Sequence, residues 1–339
     1  MKKTTEYDQV RRYQLENTRL RRQLREVTDT QIGLDGFLNG MEQFILRCNK
    51  IKYPKPVIPK RTKGVRCTAE ILFSDLQIGK LTSDYNSSVA RARVDGYVKA
   101  VLGEIENKRK AGHVVERIVL AFLGDIIESD KKHANSARAT DSGTATQIAD
   151  AMEALFIQVV LQLAALSIPM DVICVTGNHD HDGHGLAMFR PGKEHLSWPL
   201  YKGLQMLSEA SGLKHVTFNI PEGAFTTVEF YGQHCLYEHG VGVSVSESSM
   251  ASLKNKRSEQ LNVPLTYFRM GDKHNVSSFN GNQYVVNGAF FGSGRAGVDY
   301  SEIVGFSSAP AQWMGWHCAR GDSRFTIWDS FVIQLSHIN

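Results

Sequence analysis

Five short apolar runs in this 339-residue chain each end in side chains that bind metal ions or move protons. Ile71-Leu72-Phe73-Ser74 leads into Asp75 and then Gln77, and the run Val119 to Leu123 leads into Gly124-Asp125. Val172 to Thr176 leads into Gly177-Asn178-His179-Asp180. Cys235 to Glu238 precedes His239-Gly240, and Tyr267 to Met270 precedes Gly271-Asp272-Lys273-His274. α/β sheets gather ligands at the carboxyl ends of their strands, and a neighbouring glycine lets the backbone bend towards an ion. Mixed Asp, Asn and His donors without cysteine suit Mn²⁺, Mg²⁺, Fe or Zn²⁺ rather than a thiolate site. Each motif alone is weak, since Asp after a strand is often a helix cap and Gly-Asn-His-Asp also makes a polar turn. The ordered set carries the expectation.

Those side chains need a scaffold of alternating strands and helices. Strands are expected at 69–74, 117–123 and 170–176, with helices at about 90–110, 144–166 and 196–211. Beyond Val216 the strands crowd together, at 226–230, 233–238, 267–270 and 283–287. Early βαβ units followed by clustered strands point to two packed sheets flanked by helices. No internal repeat is present.

Upstream, Val10, Tyr13, Asn17, Leu20, Leu24, Val27, Gln31, Leu34, Leu38, Met41 and Ile45 alternate spacings of three and four. This is a heptad seam, with Asn17 at a register-fixing position. Gly33, Gly36 and Gly40 weaken its second half. Residues 1–47 are therefore expected to be an amphipathic helix that pairs with a second copy as a coiled coil or lies on the main domain. Residues 48–66 form a proline-containing basic linker and residues 67–339 the main domain. With the arginines of the helix, the linker suits a polyanionic partner, although an ordinary solvated surface looks much the same. The net charge of +4 decides nothing by itself. The five scattered cysteines argue against a disulfide framework and fit a reducing compartment. Neither a signal peptide nor a membrane-spanning run is apparent, so a cytoplasmic location is expected.

The ordered set resembles the calcineurin-like metallophosphoesterases, whose pattern is D-x-H, G-D, G-N-H-[DE], H and G-H-x-H. The resemblance spans about residues 69–287. Within that superfamily it looks most like the SbcD-type DNA-repair nucleases. The stretch Val286 to Gly292, with Pro310-Ala311-Gln312, looks like phage-encoded members, for which the cytoplasm would be that of the bacterial host. The resemblance implies a four-layer α/β/β/α sandwich and two divalent ions. Asp75, Gln77, Asp125 and His274 would hold the first, and Asp125, Asn178, His239 and Asp272 the second, with Asp125 bridging. His179 would protonate the leaving oxygen. Two positions depart from the pattern: Gln77 replaces a histidine, and so does Asp272. Oxygen donors at both places tilt the preference towards Mn²⁺ or Mg²⁺.

The function so implied is metal-dependent phosphodiester hydrolysis, with DNA as substrate and the chain as a nuclease or exonuclease. A partner ATPase is compatible with the SbcD likeness. One alternative is a phosphoesterase acting on a nucleotide, cyclic nucleotide or phosphoprotein. The other is a DNA-binding or scaffolding subunit weakened by Gln77. Lys131, Lys132, Arg138, Lys254 and Arg257 are candidate contacts to a nucleic-acid backbone. Phe290 and Phe291 read as core residues before they read as base-stacking ones, and His181, His184 and His234 as loop or packed residues.

Overall fold

Seven of the eight residues in β1 (Arg66–Phe73) are buried, Thr68 and Glu70 among them, as expected for a strand covered on both faces. The computed structural model describes residues 16–21, 63–130, 140–180, 192–292, 307–319 and 324–338. β1, β2 (Val114–Phe122), β3 (Met170–Cys174) and β4 (Val216–Asn219) pair in parallel. On the other side of β1, β10 (Ala311–Cys318) and β11 (Ile327–Gln334) add antiparallel strands, giving the order 11-10-1-2-3-4.

The second sheet contains β5 (Phe225–Phe230), β6 (Gln233–Glu238), β7 (Leu265–Met270), β8 (Ser277–Phe279) and β9 (Tyr284–Val286), in the order 5-6-7-9-8. β6, β7 and β9 run parallel. One buried cluster draws on both sheets: Leu72, Val119, Ala121 and Ile173 from the first meet Val228, Cys235, Tyr237, Tyr267 and Val285 from the second. The sheets therefore share an apolar interior, and the carboxyl ends of β1, β2, β3, β6 and β7 supply the candidate ligands.

The helices cover the remaining faces. α1 (Ser87–Lys110) is the crossover from β1 to β2, and Asn86 caps it by accepting the backbone N–H groups of Ser88 and Val89. α2 (Thr144–Ala164), with π turns at Ala154–Val160, links β2 to β3. This helix is long and apolar enough to cross a membrane, but 67% of its most apolar window is buried inside the domain, so it is a core helix. α3 (Ser197–Ala210) follows β3. α4 (Glu247–Leu261) sets Met250 and Leu253 against Leu236, Phe268 and Met270 of the second sheet. Asn262 ends it in the left-handed conformation, at φ 52°.

The mixed α/β architecture with two sheets agrees with the expectation. The expected elements do not include β4, α4, β8, β10 and β11. The chain divides into the units Met1–Lys50 and Ile51–Asn339. Of the first, residues 16–21 are described, as exposed helix; most of the expected coiled coil and linker lies outside the described residues.

Candidate metal centre

Asp75 and Asp125 follow β1 and β2, and both are essentially inaccessible to solvent. His239 follows β6 and is 3% exposed. One donor atom from each of these three residues lies within 4.8 Å of the other two. His239 Nδ1 is 2.6 Å from the Leu123 carbonyl, so the ring donates there and turns Nε2 inward. Nε2 lies 2.9 Å from Asn178 Oδ1, 3.2 Å from Asp125 Oδ2 and 3.6 Å from Asp272 Oδ1. His274 Nε2 is 3.5 Å from Asp75 Oδ1. The structure thus brings Asp75, Asp125, Asn178, His239, Asp272 and His274 together at the strand ends.

The backbone is bent to achieve this. Asp75, Gln77, Asp125, Asp272 and His274 all adopt left-handed conformations, with φ of 53°, 42°, 54°, 66° and 60°. Each such residue costs about 1–2 kcal/mol when it carries a side chain, and strain of this kind collects at functional sites. Two glycines permit the crossing of the β2 and β3 loops. A Cβ on Gly177 would lie 2.1 Å from Asp125 Oδ1, and one on Gly124, at φ 92°, would lie 2.4 Å from Gly177 N.

Residues the motif reading left without a role hold the loops. Asp180 Oδ2 accepts the backbone N–H of Asp125 at 2.9 Å and of Gly177 at 2.7 Å, while Oδ1 accepts that of Ile126 at 3.0 Å. One buried carboxylate therefore clips the β2 and β3 loops together. Gln312 brackets Ser74, accepting its N–H at 3.1 Å and donating to its carbonyl at 3.2 Å. Asn287 Nδ2 donates to Ser74 Oγ at 3.0 Å. These amides fix the residue before Asp75. They fall in the Val286–Gly292 and Pro310–Gln312 stretches singled out in the sequence, the available signal for them.

Several buried polar atoms make no hydrogen bond: Asp75 Oδ1, Asp125 Oδ2 and both amide atoms of Gln77. An orphaned buried polar group costs about 1–3 kcal/mol, so atoms like these fit a ligand set for hard divalent cations. Electrostatics agree. Burial, together with Asp125 and Asp272, pushes the Asp75 carboxyl up to about 8 despite the opposing charge of His239. Burial also opposes ionisation of Asp125, but the charges of His239 and His179 overcome it and hold Asp125 well below the usual range. Burial works to lower His239, yet Asp125, Asp75 and Asp272 raise it well above its ordinary value. The charged form of His239 is thus favoured beside these carboxylates, and Lys273 Nζ pairs with Asp272 Oδ2 at 2.5 Å.

His179 N donates to Asp125 Oδ1 at 2.7 Å. Its Nδ1 lies 3.2 Å from the Glu128 carbonyl and 3.4 Å from Glu128 Oε2. Lys80 Nζ sits 3.7 Å from the same carboxylate oxygen and 4.6 Å from the centre of the Phe291 ring. Neither Glu128 nor Lys80 was among the expected site residues, although Glu128 follows Gly124-Asp125 closely in sequence. Phe290 and Phe291 are buried.

Two candidate nucleic-acid contacts need correction. Lys254 is 8% exposed, with Nζ 5.5 Å from the centre of the Tyr284 ring. Arg257 is engaged by both oxygens of Glu238, at 2.8 and 2.9 Å. Neither presents an unengaged cation to a phosphate backbone, because α4 turns them onto the second sheet. Lys131, Lys132, Arg138, His181 and His184 lie outside the described residues.

No family model matches the chain, and no curated protein does. Among solved structures it is similar to an archaeal phosphodiesterase, with 10% identity and a TM-score of 0.32, over 78% of this chain and 99% of that one. It is similar to zinc-complexed Vps29 from Entamoeba histolytica, with 9% identity and a TM-score of 0.28, over 79% and 99%. A predicted phosphoesterase from Streptococcus pneumoniae TIGR4 gives 9% and 0.29, over 79% and 98%. Likenesses this distant leave the reading of the centre to its own geometry.

Proposed function

We propose that this chain is a divalent-metal-dependent phosphodiester hydrolase acting on DNA as a nuclease. The observation that carries the proposal is the convergence of strand-end residues in left-handed backbone, with Asp75 Oδ1 and Asp125 Oδ2 buried and lacking hydrogen bonds. The donor set suits two Mn²⁺ or Mg²⁺ ions. Asp75, Gln77, Asp125 and His274 would hold one, and Asp125, Asn178, His239 and Asp272 the other. Ions held there supply an acidified water and offset charge developing on a phosphoryl group.

The chain's own residues do the rest. Asp125 is oriented by the His179 N–H on Oδ1, which leaves Oδ2 towards His239. With Nδ1 of His179 held by Glu128, the proton transferred to a leaving oxygen is the one on Nε2. Glu128, 3.2 Å from Nδ1 through its carbonyl and 3.4 Å through its carboxylate, keeps the ring aligned. We read the two sheets and their outer helices as the four-layer sandwich, and the heptad spacing from Val10 to Ile45 as the sequence feature that supports pairing of two copies. The basic run at residues 50–63 supports a polyanionic substrate over a small ester, because neutralising phosphates releases counterions. A cytoplasmic site of action follows from that substrate.

The test incubates the full chain with linear DNA and with a small chromogenic phosphodiester, with Mn²⁺ or EDTA, beside Asp125→Ala. Metal-dependent cleavage of DNA that Asp125→Ala abolishes supports the nuclease. Cleavage of only the small ester points to a nucleotide-type substrate. Silence towards both supports a binding subunit, the reading that Gln77 favours.

A further inference from the structure

At the far end of β1 from the metal centre, Cys67 stands directly opposite Cys318 of β10. The strands are antiparallel, and Ala319 N donates to the Arg66 carbonyl one residue beyond. Cys318 N donates away from β1, to the Thr326 carbonyl. Cys67 and Cys318 are therefore a non-hydrogen-bonded cross-strand pair, the kind in which Cα atoms approach to about 4.5 Å. That spacing lies within the range a disulfide spans, about 4.4–6.8 Å.

Their side chains share a face. In β1, Glu70 and Leu72 point into the space between the sheets, towards Arg269 and the shared cluster. Phe73 points the other way, onto Tyr97 of α1. Cys67 belongs to the Phe73 set. In β10, His317 reaches Glu70 between the sheets, whereas Trp316 lies under Lys108 of α1. Cys318 belongs to the Trp316 set. Both thiols are free and fully buried; Cys67 Sγ donates to the Val114 carbonyl at 3.6 Å, and Cys318 is its hydrogen-bonding neighbour across the rung.

We infer that Cys67 and Cys318 form a redox-sensitive dithiol that closes into a cross-strand disulfide when a small disulfide oxidant reaches it, stapling β10 to β1. The chemistry is two successive exchanges. The thiolate of one cysteine attacks a sulfur of oxidised glutathione, forming a mixed disulfide and releasing one glutathione thiolate. The thiolate of the second cysteine then attacks the protein sulfur of that mixed disulfide. The cysteine–cysteine bond forms, and the second glutathione leaves. The two cysteines are oxidised by two electrons, glutathione disulfide is reduced, and the protons from the two thiols go to the two departing glutathione thiolates.

Access comes through the strand ends. The pair is the last rung of the β1–β10 ladder, and the next residue of β1, Arg66, is exposed. Terminal rungs open at far lower free energy than the core. The shared hydrogen bond and burial raise the Cys67 thiol well above its ordinary value, so exchange runs through these openings rather than the closed state.

The test treats the full-length reduced chain, under native conditions, with oxidised glutathione. It is followed by acid quench, alkylation after denaturation, and peptide mass spectrometry without reductant. The expected result is loss of two of the five thiols, a peptide linking Cys67 to Cys318, and a rise in Tm reversed by dithiothreitol. Cys67→Ala and Cys318→Ala should each remove the cross-link and the Tm shift, whereas Cys174→Ala should keep both. The wild-type measurement stands if either variant folds poorly. Full alkylation of Cys67 and Cys318 after prolonged exposure to oxidant, or oxidation confined to Cys48, would overturn the inference.

Discussion

Two clusters of buried charge lie in the same domain, and the sequence treats them in opposite ways. Between the sheets, Glu70 is completely buried and its carboxylate is crowded with donors. Oε1 accepts from Tyr237 Oη at 2.6 Å and Arg269 Nε at 3.0 Å, and Oε2 from His317 Nε2 at 2.9 Å. Arg269 also donates to the carbonyls of Phe268, Asn282 and Gln283; Nη2 is the one of its nitrogens left without a bond. At the strand ends, Asp75 and Asp125 are just as buried, yet each keeps a carboxylate oxygen that no group meets in hydrogen-bond geometry and that faces a histidine Nε2, at 3.5 and 3.2 Å. The first cluster sits on regular strands; the second sits on left-handed turns. A buried charge that the fold has satisfied is structural, whereas one left open, at a cost in strain, is poised for something the chain does not contain.

Exchanging the damage should break this contrast most clearly. Asp75→Asn is expected to lower phosphodiester hydrolysis at least a thousandfold, roughly 4 kcal/mol of barrier, while the midpoint of urea unfolding of the metal-free chain holds or rises, because burial disfavours the Asp75 carboxylate. Glu70→Ala should do the reverse. It strands Arg269 in the interior, and breaking a buried pair costs about 3–5 kcal/mol. Manganese affinity per folded molecule should stay unchanged. Calorimetry and urea titration of both variants separate the outcomes, and equal loss of stability in the two would erase the distinction.

Metal should act on one cluster alone. Saturation of the strand-end centre at about a hundred times Kd stabilises by about 2.7 kcal/mol. Manganese should therefore raise Tm in wild type and in Glu70→Gln but not in Asp125→Ala, with EDTA reversing the rise. Because His239 holds a proton that a bound ion would displace, binding should release protons, seen as a binding enthalpy that varies with the ionisation enthalpy of the buffer.

The clusters should also answer pH with opposite signs. Burial alone would raise Glu70, but the charge of Arg269 and the bond from His317 lower it from 4.5 to about 2. Its contribution is complete above pH 4.5 and drains away as pH falls from 4.5 through 2. Glu70→Gln should flatten that acid limb. Asp75, raised from 3.8 to about 8, binds a proton in the folded metal-free chain that the unfolded chain has released. Stability from this group falls as pH climbs from 3.8 to 8. Asp75→Asn should remove that alkaline limb, as urea midpoints across pH would show.

The two clusters were unequally legible. Each candidate ligand closely follows an apolar run, so a local pattern singles out Asp75, Asp125, Asn178, His239, Asp272 and His274 together. Glu70 meets Arg269 and His317, 199 and 247 residues further along the chain, only because their strands come to lie across one interior, and no local pattern encodes that. A comparable distance hid Gln312 behind Ser74. Two elements escaped for lack of period: β10 is buried at every residue, and α4 buries only Met250 and Lys254. In sequence that helix looks like a basic surface piece, so Lys254 and Arg257 look available to nucleic acid when they are not.

Gln77 belongs to both sides of the comparison and offers the finest test. It is fully buried in left-handed backbone, anchored by its own N–H to the Asp125 carbonyl, and its amide finds no partner. Structural reasoning alone would condemn it, since apolar Met should fit the space and relieve about 1–3 kcal/mol of unsatisfied amide. A ligand role predicts a divided outcome. Gln77→Met should raise the stability of the metal-free chain while weakening manganese binding, and Gln77→His should tighten binding about tenfold, a ligand-scale change. Calorimetry on the two variants decides between these readings. Manganese binding indifferent to both substitutions would remove Gln77 from the ligand set and leave a centre built on Asp125, Asn178, His239 and Asp272.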